Sequence, residues 1–127
     1  MTSRKSPSTS AAQDRSILVV DDDAASTDSL TDILTAEGYT VATACNGKEA
    51  LAHLRGAPPP RLIILDLFMP EMDGWEFRRE QLKDAMLRDI PVVVMTGASV
   101  YAGIDVNVIV HKPLDVARFV SLIERYF

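Results

Sequence analysis

The chain has 127 residues, enough for one domain with a proper core and little more. At 47% hydrophobic and 24% charged it has the composition of an ordinary soluble globular domain, and its formal net charge of -5 disfavours nucleic acid as a direct partner. No stretch reaches membrane-spanning length, the start lacks the apolar core of a secretory signal, and the single Cys45 rules out an internal disulfide, so no membrane insertion and a cytoplasmic location are expected.

Residues 1–14 are rich in Ser and Thr and nearly free of large apolar side chains. They cannot bury enough surface to offset ordering entropy, so they read as a flexible N-terminal tail ahead of a domain over 15–127. Residues 17–20 form a short apolar run that predicts a buried strand, and it ends on Asp21, Asp22 and Asp23. Leu30, Ile33 and Leu34 then recur at helical spacing, with Asp23 placed as N-cap and Gly38 as the stop. Residues 39–43 alternate apolar and polar like a half-buried strand, and Asn46 with Glu49 has capping-box spacing ahead of a helix over Ala50, Leu51 and Leu54 that ends at Gly56.

Leu62, Ile63, Ile64 and Leu65 are an unbroken apolar run bounded by prolines, too short for a helix and suited to a strand buried on both faces. It ends on Asp66. A charge at the end of a buried strand needs a partner or a task, although a cap or turn former is an equally good reading of this residue by itself. A third helix is expected from Gly74 to about Lys83, capped by Asp73. Residues 91–96, PVVVMT, predict a fourth strand ending in a hydroxyl, and residues 106–110 a fifth, followed at once by His111, Lys112 and Pro113. Val116, Phe119, Val120, Ile123 and Phe127 lie on one stripe of a closing amphipathic helix. Strands alternating with helices imply a parallel sheet covered on both faces.

In such a sheet the strand ends project from one edge, and they carry Asp21, Asp22, Asp66, Thr96 and Lys112. Three crowded carboxylates can all ionise at neutral pH only if a cation joins them. Oxygen donors without a Cys or His cluster favour a hard ion, Mg²⁺ or Mn²⁺. A cation, an ammonium and a hydroxyl each stabilise phosphoryl oxygens, so the set is suited to holding a phosphoryl group.

The segments ILVVDDD, LIILDLFMPEMDG, PVVVMTG and HKP resemble, in order and spacing, the signature of response-regulator receiver domains of two-component signalling, over about residues 16–127. The resemblance implies a flavodoxin-like, doubly wound α/β fold with a five-stranded parallel sheet of order 2-1-3-4-5. It also implies that Asp66 is the phosphoacceptor and Asp22 a direct Mg²⁺ ligand. Asp21 would bind the ion through water, the Phe68 backbone carbonyl would complete the protein's share, Thr96 would be the hydroxyl that moves onto the phosphoryl group, and Lys112 its ion-pair partner. A cis peptide is expected before Pro113. The implied activity is a switch that takes phosphate from a sensor histidine kinase or a histidine phosphotransfer protein and then binds a downstream target, rather than a turnover enzyme.

Two departures from the family pattern fall on the output side. The stretch between Thr96 and Lys112 is several residues shorter than usual, which leaves a shortened or irregular fourth helix, and Ile109 stands where the family places an aromatic ring. Tyr101 is a candidate substitute. Phe68 stands at the mouth of the pocket, where its bulk either restricts attacking water and slows phosphate loss or simply packs on neighbouring loop residues. Gly97 should loosen the loop behind Thr96. Cys45 reads as structural or inert, His53 and His111 as surface residues, and Trp75 as a packing residue. Other functions to weigh are a receiver cut from a longer hybrid kinase or regulator, and a Mg²⁺-dependent phosphatase with an aspartyl-phosphate intermediate. The latter places a second Asp where this chain has Phe68.

Overall fold

Five short apolar runs become strands: β1 (Ser16–Val20), β2 (Thr40–Ala44), β3 (Leu62–Leu65), β4 (Val92–Thr96) and β5 (Val108–His111). A computed structural model describes residues 15–97, 103–106, 108–112 and 115–127 of the chain. The strands pair in parallel in the order β2-β1-β3-β4-β5, as the resemblance implied. Both faces of the sheet are covered, because α1 (Ala24–Ala36), α2 (Gly47–Gly56), α3 (Gly74–Lys83) and α4 (Val116–Glu124) alternate with the strands. The expected tail over 1–14, Tyr101 and the peptide before Pro113 lie outside the described residues.

The period of two along each strand sorts the core into two layers. Leu18, Val20, Ile63, Leu65, Val92 and Val94 face α2 and α3, meeting Leu51, Leu54 and Phe77. Ile17, Val19, Leu62, Ile64, Val93 and Met95 face α1 and α4, meeting Leu30, Leu34, Phe119 and Ile123. Every β3 side chain is buried, which explains why that run shows no alternation. A fully buried Leu or Ile stabilises by roughly 1.5–3 kcal/mol, so the double-sided layers hold the strand ends in register.

Asp23, Asn46, Asp73 and Asp115 cap the four helices, each accepting a backbone N–H with its side chain. Asp115 was not expected from the sequence. The Asn46 pairing differs from a reciprocal capping box: Glu49 N–H donates to Asn46 Oδ1 at 2.7 Å, but the Glu49 carboxylate takes the Cys45 N–H at 3.0 Å instead of that of the cap. Gly38 ends α1 in the left-handed region (φ 93°), with its N–H on Thr35 O and the Tyr39 N–H on Leu34 O. That second bond assigns Tyr39 to the helix end, so β2 starts one residue later than the alternation suggested.

The largest shift is at β5, which spans Val108–His111 rather than 106–110. Ile104 and Val106 are instead half-buried coil packed on the α2 and α3 side of the core. None of the described residues between Thr96 and Val108 is helical. This connection is tied down from α3, where Arg78 Nε donates to Asp105 O at 2.8 Å. The neighbouring Gln81 is fully buried; it accepts from Arg78 at 2.7 Å and donates to Leu87 O and Ile90 O, a network the sequence did not reveal. Val116 was expected on the buried stripe of α4 but is 47% exposed, at the edge of a groove of about 380 Å³ between α1 and α4.

Candidate functional site

The parallel register delivers the acids to one rim. Val20 pairs with Leu65, so Asp21 and Asp66 are the next residues on adjacent strands, tied by the Asp66 N–H on Val20 O (2.9 Å) and the Asp21 N–H on Ala44 O (3.0 Å). Asp22 follows at the exposed end of β1, and carboxylate oxygens of Asp21, Asp22 and Asp66 lie within 4.8 Å of one another. Asp21 is buried, Asp66 half-buried and Asp22 exposed, so the set opens to solvent on one side. Such spacing brings three oxygens of the hard type to one point, and the donor set fits a Mg²⁺ ion.

Thr96 and Lys112 arrive from the other side. Thr96 ends β4, fully buried, opposite His111 of β5, and accepts the Lys112 N–H on its carbonyl at 2.9 Å. The Lys112 ammonium reaches across to Asp21 Oδ2 at 3.2 Å. The five residues singled out by sequence therefore gather at the carboxyl edge of one sheet. Asp23 takes the structural part: its carboxylate accepts from Ser26 Oγ (2.7 Å) and the Ala25 N–H, and the Ser26 bond in particular holds its pKa below the usual value.

Burial dominates the electrostatics of Asp66. Desolvation, reinforced by the charge of Asp21, pushes its pKa up to about 6, against the opposing pull of Lys112 and of the Phe68 and Leu67 backbone N–H groups that bond its carboxylate. The two loop amides were not foreseen, since no sequence signal marks a backbone donor.

The loop carrying them is built on close approach. Gly74 donates its N–H to Leu67 O at 2.9 Å, and a Cβ there would stand 2.7 Å from Asp66 O and 2.8 Å from Leu67 Cα. The Asp73-Gly74 pair that reads as a helix start is therefore also the neck of the loop. Phe68 is 52% exposed at the rim, and its ring meets Trp75 edge-on with centroids 5.3 Å apart. Trp75 packs, as expected. Ile109 is half-buried against the α2 and α3 core layer, and Gly97 has open space where a side chain would stand. The exposed Cys45 thiol donates to Glu49 at 3.3 Å, and that hydrogen bond pushes its pKa up, which favours the thiol over the thiolate.

The family described as the response regulator receiver domain matches residues 17–124. This chain belongs to it. The receiver is 42% identical over 84 residues to the probable transcriptional regulator ycf27 of Porphyra purpurea, covering 66% of this chain and 33% of that protein. It is 30% identical over 118 residues to the polar-differentiation response regulator DivK of Brucella anthropi, covering 88% of this chain and 95% of DivK. Among solved structures, the response regulator TrrA of Thermotoga maritima in complex with Mg²⁺ and BeF superposes with a TM-score of 0.79 at 30% identity, over 89% of this chain and 99% of TrrA. The receiver thus spans about a third of the length of ycf27 and nearly all of DivK. Among the described residues no helix is long and apolar enough to cross a membrane.

Proposed function

We propose that this receiver is a phosphoacceptor response regulator acting in the cytoplasm. A phosphohistidine on a sensor histidine kinase or histidine phosphotransfer protein gives its phosphoryl group to Asp66, and the altered surface binds a downstream protein. The observation that carries this reading is the convergence of Asp21, Asp22 and Asp66 within 4.8 Å at a rim where Lys112 also ends.

In the transfer, a carboxylate oxygen of Asp66 forms the new bond to phosphorus while the phosphorus–nitrogen bond to the donor imidazole breaks. The imidazole keeps the electron pair and takes a proton from solvent. Mg²⁺, or Mn²⁺, when bound neutralises charge on the transferring oxygens; Asp22, Asp66 and the Phe68 carbonyl would hold it directly and Asp21 through water. The remaining work belongs to the chain. The Leu67 and Phe68 amides orient the Asp66 carboxylate, and Lys112 exchanges Asp21 for the phosphoryl oxygens, while the Thr96 hydroxyl closes onto the group. Attack of water on phosphorus later breaks the phosphorus–oxygen bond of the acyl phosphate, returning the Asp66 carboxylate and releasing inorganic phosphate, so the protein resets itself and is not a turnover enzyme.

Phosphorylation replaces one charge at Asp66 by about two and adds acceptor oxygens, which biases the loop behind Thr96. The apolar groove lined by Leu30, Ile33, Met95 and Val116 opens beside Lys112. A second reading keeps the same chemistry within a longer regulator, as in ycf27, where the matched segment is a third of the protein; the length of the native reading frame separates the two. Incubation with Mg²⁺ and acetyl phosphate should add one phosphate by mass, and Asp66→Asn should abolish it. A wild-type protein that stays unmodified would overturn the reading. Phe68 shields the phosphoryl group from water, so Phe68→Asn should shorten the phosphate half-life severalfold; an unchanged or longer half-life removes that role.

A further inference from the structure

The loop between Asp66 and Gly74 is held at two points. Its neck is the Gly74 contact with Leu67; its tip is fastened to a different part of the chain, the first residue of α2. Gly47 N–H donates to Met72 O at 3.0 Å, and a Cβ on Gly47 would stand 2.8 Å from Met72 Cγ, 2.9 Å from Met72 O and 3.0 Å from Phe77 Cβ. Two of those obstacles cannot swing aside, because one is backbone and the other belongs to a fully buried core ring. The neighbouring backbone is already strained: Glu71 sits at φ 64° and the Met72 N–H turns back onto Pro70 O at 2.7 Å. The tip is therefore seated on Gly47 and has no slack of its own.

From these contacts we infer that Gly47 is a positioning residue for the phosphoacceptor loop. It fixes, through Met72, the loop that presents the Leu67 and Phe68 amides to Asp66. The start of α2 gains as well, since the Gly47 N–H, one of the donors a helix leaves unpaired at its first turn, finds its acceptor in that loop. Any side chain at this position pushes Met72 away, and the displacement passes along a short strained loop to the Asp66 ligands, where fractions of an ångström matter. The inference rests on the phosphoacceptor reading above.

The test compares Gly47→Ala with Gly56→Ala, which lies at the other end of the same helix with nothing within 4 Å of its added Cβ. Trp75, the only tryptophan in the sequence, meets Phe68 edge-on, so its fluorescence is the probe for Mg²⁺ titrations, with isothermal calorimetry as the second readout. Gly47→Ala should raise the Mg²⁺ Kd at least about 3-fold and slow phosphorylation by acetyl phosphate about 10-fold, with Gly56→Ala at wild-type values. A folded Gly47→Ala with wild-type Kd and rate overturns the proposal. Should that variant fail to fold, amide exchange on the wild type decides: slower exchange of the Gly47 N–H on adding Mg²⁺ supports the proposal, and exchange that Mg²⁺ leaves untouched overturns it. A wild type that neither binds Mg²⁺ nor takes phosphate removes the phosphoacceptor reading itself, an outcome distinct from failure of the Gly47 variant alone.

Discussion

On the acid side of the rim, Asp21 and Asp66 end two neighbouring interior strands, and the loop beyond Asp66 is pressed against Gly74 and Gly47 at distances that leave no room for a methyl group. On the opposite side, Thr96 and Lys112 end β4 and the edge strand β5. There, added Cβ atoms at Gly97 and Gly103 would meet nothing within 4 Å, and the described part of the connection is fastened by Arg78 to Asp105 O. The difference suits the two tasks that the proposed phosphotransfer sets: groups that would hold an ion and an attacking oxygen in line need fixed positions, whereas a hydroxyl and an ammonium that would change partners need a backing that can shift.

Substitutions can break this contrast, beginning with its tightest point. Gly74→Ala forces a Cβ against the Asp66 carbonyl and should destabilise by about 3 kcal/mol in urea unfolding. Arg78→Ala leaves the buried Gln81 oxygen without its donor and releases Asp105 O, at a cost of about 2 kcal/mol, and should speed amide exchange over 103–106. Asp66→Asn should act in the opposite direction. Because the folded-state pKa of Asp66 is raised to about 6 from 3.8, its favourable contribution is fully present below pH 3.8 and lost as pH rises through 6. At pH 7 without Mg²⁺ the neutral Asn should therefore stabilise by about 1–2 kcal/mol, after discounting for the half-exposed site, and the gain should shrink towards pH 4. Gly97→Ala, in open space, should raise stability by only about 0.5 kcal/mol through the unfolded chain.

Much of the molecule was legible because the signals were local. The runs ending in Asp21, Asp66 and Thr96 became strands as read, and Asp23, Asn46 and Asp73 became caps, since each depends on a few adjacent residues. The misjudged boundary of β5 had a different origin: Val106 is apolar enough to open the strand read over 106–110, but tertiary packing laid it on the core as coil beside Ile104. Val116 fitted the helical stripe, yet it lies at the end of α4 facing a groove instead of a neighbour. Gln81 gave no sign of being buried, because its partners Leu87 O and Ile90 O are backbone atoms brought round by a turn.

The sequence by itself determined which side chains end the strands and that those strands run parallel, since apolar period and chain order are written along the polypeptide. Only the tertiary structure decided how tightly each end is held. The close contact between Gly47 and Met72 and the upward pull on the Asp66 pKa both arise between segments far apart in the chain, and close packing sets them only when the whole domain has closed.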